Sequence, residues 1–318
     1  MAPQLSVVVT TYNRASILAK CLDALLHQEG DPSYEVLVVD DGSTDETPAM
    51  LDALMAAHAH LRVYSQPNGG RASARNSGIR EARGEYLCYV DSDVFVAPGF
   101  VKAHLDAHAS FQRRTAGARR AAGAPSDKHR DCFVQGLSVN ISKLEDAFQV
   151  AVPPFDPSRA FFDTKNVSLR RAWLSEVGGF DTGFVEYGWE DLELGVRLKE
   201  KGLTIVRSRE AFGFHFHPSF TVEDLPKLRR IEEERGRMAA RFYHLRPTFE
   251  VRLMIQLTPL HDVLNGIATW GGLLNERNMR GVFAWLERRG HAWWAGQWAQ
   301  IILNQYNLRE LHRALKGA

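Results

Sequence analysis

Two carboxylates separated by one small residue, Asp91-Ser92-Asp93, directly follow the apolar run YLCYV. A buried strand ending in such a pair presents hard oxygen donors at a sheet edge, the ligand type that suits Mg2+ or Mn2+ bridging a diphosphate. Taken alone, the triplet also describes an ordinary turn or helix cap. A second acidic pair, Glu190-Asp191, opens a helical segment after Gly188-Trp189, where it either serves the helix dipole or supplies a base. His215 and His217 flank Phe216, and the period of two along a strand puts both imidazoles on one side. Asn68-Gly69-Gly70-Arg71, followed by Ala74-Arg75-Asn76-Ser77-Gly78, is a glycine-bearing loop entering a helix. There, free N–H groups and a cation can meet phosphate. The loop is not a G-x-G-x-x-G, which argues against a dinucleotide site.

Elements must bring these groups together. From Leu5 to about Phe111 short β-branched runs alternate with segments of helical period, the signature of βαβ units and an α/β fold with a mostly parallel sheet flanked by helices. The spacing predicts strands over Leu5–Thr10, Val36–Asp40, Leu61–Ser65 and Tyr86–Val90, with Ile17, Leu18, Cys21, Leu22, Leu25 and Leu26 on one face of the first helix. Ligands of open α/β sheets sit beyond the carboxyl ends of the strands. Three predicted strand ends are polar there: Thr10-Thr11-Tyr12-Asn13-Arg14, Asp40-Asp41-Gly42-Ser43 and Asp91-Ser92-Asp93. Between Arg113 and Asp131 the apolar period is lost among Gly, Pro and basic residues, and the segment reads as a loop. After Thr221 the chain reads as helical and rich in tryptophan: Trp270, Trp285, Trp293, Trp294 and Trp298.

Among 318 residues, 39 basic and 38 acidic side chains nearly balance, so no global field points to nucleic acid. Cys21, Cys88 and Cys132 are widely spaced, two of them in apolar runs, as expected of buried thiols in a reducing compartment. The N-terminal MAPQLSVVVTTYNR has no signal-peptide pattern, and no stretch approaches the length of a membrane span. A cytoplasmic protein is expected, either free or peripheral at the inner face of the membrane.

The segments SVVVTTYNR, VLVVDDGSTD, NGGRASARNSG, YLCYVDSD, VGGFDTGF and GWEDLELGVRLKEKG, in this order, together resemble the inverting family 2 glycosyltransferases of the GT-A fold. The resemblance extends to bacterial polysaccharide and chondroitin-polymerase-like members and covers roughly Leu5 to Pro218. It implies a catalytic domain over 1–220, with a nucleotide-sugar half (1–112) and an acceptor half (131–220), followed by a helical extension over 221–318. The implied reaction moves a sugar from a nucleotide-diphosphate donor, a UDP-hexose or UDP-N-acetylhexosamine, to a hydroxyl of a glycan, lipid-linked or small-molecule acceptor.

By position, the resemblance assigns Thr10, Thr11, Tyr12, Arg14 and Asp40 to the nucleoside pocket, with a core aromatic as the other reading of Tyr12. Gly70, Arg71, Arg75 and Ser92 face the donor; Asp91 serves the ribose or the metal, and Asp93 ligates Mn2+ or Mg2+. Asp191 is the implied general base, with Glu190 as its substitute. His217, in preference to His215, completes the metal site. Asn166, Gly179, Phe180 and Trp189 are expected at the acceptor. Two other classes remain open, a sugar-phosphate nucleotidyltransferase and a non-catalytic sugar-nucleotide-binding protein. The C-terminal helices are expected to cover the core, pair with a second subunit or touch a membrane.

Overall fold

The computed structural model describes residues 2–122, 131–150 and 161–317. In chain order the elements are β1 (Leu5–Thr11), α1 (Ala15–Leu26), β2 (Tyr34–Asp40), α2 (Thr47–Ala57), β3 (Leu61–Ser65), α3 (Gly70–Glu81), β4 (Tyr86–Asp91), β5 (Val94–Val96), α4 (Phe100–Ala122), β6 (Cys132–Ile141), β7 (Asn166–Arg170), α5 (Arg171–Glu176), α6 (Glu190–Glu200), β8 (Thr204–Phe216), α7 (Leu225–Leu245), α8 (Phe249–Met254), α9 (Pro259–Ala268), α10 (Glu276–Arg288) and α11 (Ala292–Lys316). They form two compact units: residues 1–182 with 190–217, and residues 183–189 with 218–318.

The first unit is an eight-stranded sheet in the order β3-β2-β1-β4-β7-β6-β8-β5. Its β3-β2-β1-β4 half is wholly parallel, as the βαβ pattern predicts, whereas β7 runs antiparallel to both β4 and β6. Alternation explains how two apolar layers grow from one strand. Val7 and Val9 of β1, Val36 and Val38 of β2, and Cys88 and Val90 of β4 join Leu18, Leu22 and Leu25 of α1 in one core. Their neighbours Val8, Leu37, Val39, Leu87 and Tyr89 join α3 and α6 in the other. All three cysteines are buried and free.

Helix α3 sits unusually close to the sheet. A Cβ on Gly78 would lie 2.4 Å from Cγ1 of Val8, so only glycine permits this approach. Part of the segment expected to be a loop, 113–122, continues α4 instead, because Ala and Arg are strong helix formers even without an apolar stripe. The remainder of that segment, 123–130, lies outside the described residues.

Behind β7 lies a closed polar network. His104 Nδ1 and His108 Nε2 both meet Ser168 Oγ, at 2.8 and 2.9 Å, and His104 Nε2 meets Asn166 Oδ1 at 2.9 Å. Burial holds the His104 imidazole down at about 4 and that of His108 at about 3.

The second unit is helical. Phe283, Ala295, Ala299, Ile302 and Leu303 fill its core with Val222 and Leu225. Helices α7 and α11 approach closely at Gly236, where a Cβ would stand 2.3 Å from the Asn307 carbonyl oxygen. Thr248, Thr258 and Asn275 cap α8, α9 and α10 through their side-chain oxygens, each satisfying an otherwise orphaned N–H. No helix among the described residues is long and apolar enough to cross a membrane.

The histidine network sets an acid limit on stability. Both imidazoles stay neutral in the fold while the unfolded chain takes up protons below about 6.5, so stability is full above that pH and falls as pH drops toward 4. Between pH 6.5 and 5 the loss is about 2 kcal/mol per histidine. Melting temperatures from pH 7.5 to 5 are expected to fall more steeply for the native chain than for the double variant His104→Asn, His108→Asn, whose amides do not titrate.

Candidate functional site

The sheet register aligns the polar strand ends. Thr11 stands opposite Asp40 across β1 and β2, and Thr10 opposite Asp91 across β1 and β4. The chain then turns through the buried Ser92 into β5, whose Val94 pairs with His215 of β8. This pairing brings His215 Nε2 to 3.5 Å from Asp93 Oδ1. The imidazole of His215 thus stands beside the aspartate, and the ring of His217 packs edge-on against that of His215 with centroids 5.8 Å apart. The other Asp93 oxygen accepts from Arg14 NH1 at 2.5 Å. Burial opposes ionisation of Asp93, but the hydrogen bond and charge of His215, and then Arg14, hold its carboxyl below the usual range. Arg14, expected at the nucleoside, is thus turned to the metal-binding candidate.

Arg75 joins the two acidic motifs. It is 6 % exposed, donates to Glu190 Oε1 at 2.7 Å and approaches Asp91 Oδ1 at 3.6 Å. Its guanidinium also lies over the Phe180 ring, 5.6 Å from the centroid. Burial works against the cation, yet Glu190, Asp91 and Asp191 hold its pKa above the ordinary value. Asp91 titrates higher than usual because of burial and the charges of Asp93 and Asp163, with Arg75 opposing. Asp191, beside Glu190 at the start of α6, is pushed up to about 7 by desolvation and then by the like charges of Glu190 and Asp163.

Two residues not singled out from the sequence complete this field. Asp163 pairs with Lys165 at 3.0 Å. The pKa of Lys165 is raised, burial notwithstanding, by Asp163, Asp91 and Asp191. No D-x-D-like pattern flags this pair. Its only signal is an acidic and a basic residue in the aromatic segment FFDTKN.

Five carboxylates (Asp91, Asp93, Asp163, Glu190, Asp191) thus share the site with four cations (Arg14, Arg71, Arg75, Lys165). The negative excess and the oxygen donors fit a divalent cation. Among the described residues, however, no three His, Cys, Asp or Glu side chains stand in ligating array, and Arg14 occupies one oxygen of Asp93. The Arg14 side chain is 49 % exposed while that of Asp93 is 16 % exposed, so solvent reaches the pair mainly from the arginine end. Two buried oxygens, Thr11 Oγ1 and Glu190 Oε2, have no hydrogen-bond partner among the described residues. Unsatisfied groups of this kind are rare in finished interiors. Tyr12 is 48 % exposed and so is not a core aromatic.

The glycine loop behaves differently from expectation. The N–H groups of Gly69 and Gly70 donate to the Asp41 carboxylate at 2.9 and 2.8 Å, and Gln66 adds a third donor at 2.7 Å. These N–H groups are therefore taken internally, and Asp41 caps α3 where phosphate was expected. Asp40 Oδ1 accepts from Ser43 N–H at 3.1 Å, closing the neighbouring turn. Arg71 NH1 stands 3.9 Å from Glu190 Oε1.

Of the expected acceptor residues, Asn166 is fully buried. Its Nδ2 donates to the carbonyls of Leu137 and Ala211 and its Oδ1 meets His104, so it braces the sheet and meets no acceptor. Phe180 is buried edge-on against Tyr89, and Gly179 lies at φ +71 where a Cβ would meet Asn76 Oδ1 at 2.5 Å. In the second unit Trp189 is buried on Phe242, its Nε1 donating to the Arg235 carbonyl at 2.9 Å.

Residues 6–130 match the family model described as glycosyl transferase family 2, and residues 151–219 one described as the N-terminal domain of galactosyltransferase. An uncharacterized glycosyltransferase, YfnE of Bacillus subtilis (strain 168), is 30 % identical over 256 residues, 67 % of this chain and 65 % of the relative. The validoxylamine A glucosyltransferase of Streptomyces hygroscopicus subsp. limoneus is 37 % identical over 238 residues, 66 % of this chain and 51 % of the relative. The chain thus spans between half and two thirds of the length of these relatives. Among solved structures, the mannosyltransferase PcManGT from Pyrobaculum calidifontis, in complex with GDP-Man and Mn2+, shares the fold with a TM-score of 0.57 at 18 % identity, covering 97 % of this chain and 88 % of that one.

Loss of the Asp41 cap should be felt by α3 and everything it carries. Asp41→Ala removes the acceptor of three hydrogen bonds at once, and urea denaturation is expected to register a loss of about 1–3 kcal/mol.

Proposed function

With residues 6–130 belonging to glycosyltransferase family 2 and the fold that of the GT-A enzymes, we propose that this chain transfers a sugar from a nucleotide-diphosphate donor to an acceptor hydroxyl, inverting the anomeric carbon. The observation that carries the reading is the meeting of Asp91-Ser92-Asp93 with Glu190-Asp191 across Arg75, a contact spanning 115 positions of sequence. Likeness to a glucosyltransferase supports a hexosyl donor.

The donor nucleoside rests at the ends of β1 and β2 against Thr11, Tyr12 and Asp40, where the Thr11 hydroxyl, without a partner among the described residues, supports a polar contact. Asp91 and Asp93, with His215 beside them, would hold a divalent cation, which would neutralise charge on the diphosphate leaving group. Arg75, preorganised by Glu190, adds a fixed positive charge on the same side. Asp191 takes the proton of the attacking acceptor hydroxyl. A carboxyl near 7 is a far stronger base than an ordinary aspartate and is still ionised in useful amount at neutral pH. Its neighbours Glu190 and Asp163 repel its charged form, so proton uptake relieves that repulsion as the new glycosidic bond forms.

Asp191 must be ionised to act, so kcat/KM is expected to rise with pH through about 7 and level off above it. Asp163→Asn removes one of the like charges that raise Asp191, and the rising limb should move to lower pH. A limb unmoved by Asp163→Asn would dissociate the pH dependence from Asp191.

Asp191→Asn preserves shape while removing basicity, and turnover is expected to drop on the order of 10²–10⁴ with donor affinity nearly unchanged. Donor affinity measured by titration calorimetry alongside turnover separates the roles. Lost donor binding would move Asp191 into the nucleotide site, and full turnover would transfer the base to Glu190.

A further inference from the structure

The helices of the second unit turn apolar stripes outward. On α9, Leu260, Val263, Leu264 and Ile267 occupy i, i+3, i+4 and i+7, one face of a helix. They are 64, 58, 53 and 67 % exposed, and α9 has no buried residue, so this face plays no part in the unit's own core. Helix α11 repeats the division. Ala295, Ala299, Ile302 and Leu303 are buried, while Trp294, Trp298 and Ile301, again at one-face spacing, are exposed. On α10, Phe283 points to the core while Val282 and Trp285 are exposed, and Trp270 and Trp293 near the helix ends are exposed as well. The five half-exposed tryptophans present on the order of 100 Å2 each, and the aliphatic stripes add to this exposed apolar area. Such a surface is built to be covered.

Its charge indicates by what. From Glu276 to Arg289 four arginines stand against two glutamates, and α9 carries Asp262 near His312; Glu276 is taken by Arg229 and Tyr306. Glu287 accepts the Val222 N–H, and Arg280 pairs with Glu223. Arg277, Arg288 and Arg289 lie on the exposed side of α10, and the Arg289 guanidinium lies 5.4 Å over the Trp285 ring. Arginine stacked on tryptophan, beside aliphatic stripes, matches the boundary between phosphate headgroups and acyl chains. An isologous contact with a second copy would set the same arginine-bearing face against itself. Anionic phosphate has the complementary charge.

We propose that α9, α10 and the first turns of α11 form a docking surface for an anionic phospholipid bilayer, lying in the headgroup layer without crossing it. The proposal is independent of the catalytic reading. In co-sedimentation of the full chain, the protein is expected to pellet with phosphatidylcholine vesicles containing phosphatidylglycerol, much less with phosphatidylcholine alone, and to be released by high salt. Leu264→Glu with Ile267→Glu, and separately Arg277→Glu with Arg288→Glu and Arg289→Glu, should each weaken partitioning by about tenfold or more. The replaced side chains are exposed, so melting temperatures should stay unchanged. Absence of binding to either vesicle, equal binding to both, or binding unaffected by the variants would overturn the proposal. A dimer seen by light scattering that Leu264→Glu with Ile267→Glu dissociates, without vesicle binding, would assign the face to a second copy.

Discussion

The ion pair between Arg75 and Glu190 is the contact on which the site depends. A guanidinium buried this deeply is tolerated only with partners for its charge, and Glu190 and Asp91 are those partners. The pair ties α3 to α6 and to the end of β4, so Asp91 and the start of α6 are set relative to each other by one side chain. Supporting contacts fix Arg75 in turn. Gly78 lets α3 lie against Val8, and Asn76 exchanges hydrogen bonds with the Phe180 backbone in both directions, at 2.8 and 2.7 Å. Asp41 anchors the start of the same helix.

Around this pair the protein accumulates negative charge, which stability alone would disfavour. The consequence appears in Asp91 and Asp191, both held above the ordinary aspartate range, and in Glu190 Oε2, which has no hydrogen-bond partner among the described residues. Groups left strained in this way are characteristic of sites that complete themselves with a ligand. The buried histidine network behind β7 is the opposite case. Its imidazoles and the hydroxyl and amide they meet are mutually satisfied, and it serves only to hold the sheet.

The chain reaches Asp191 by an indirect route. Residues 183–189 belong to the second unit, where Glu186 accepts from Arg237 at 2.7 and 2.9 Å and Trp189 is locked on Phe242. Gly188 and Trp189 both adopt positive φ, +100 and +75. Left-handed backbone at a bulky tryptophan is costly, and it occurs one residue before the acidic start of α6.

Local pattern was enough to determine the parallel half of the sheet, the first helix, the helical C-terminal region and the polar strand ends, because β-branched runs, apolar period and strand-end position are properties of neighbouring residues. The ordered set of short motifs was enough to indicate the family. Tertiary structure decided the rest. Whether glycine N–H groups at Gly69 and Gly70 point to a ligand or to Asp41 depends on a carboxylate 28 and 29 positions away. The approach of His215 to Asp93 depends on the pairing of β5 with β8. Asp163 and Lys165 carry no spacing signal, since their role is purely electrostatic and arises from strands and helices remote in sequence. Asn166 reads as a polar residue near a site and is a buried brace, because hydrogen-bond satisfaction is settled only when the sheet closes around it. The outward stripes of α9 and α11 follow the same logic. Periodicity reveals that a helix has an apolar face, and packing alone decides whether that face is covered.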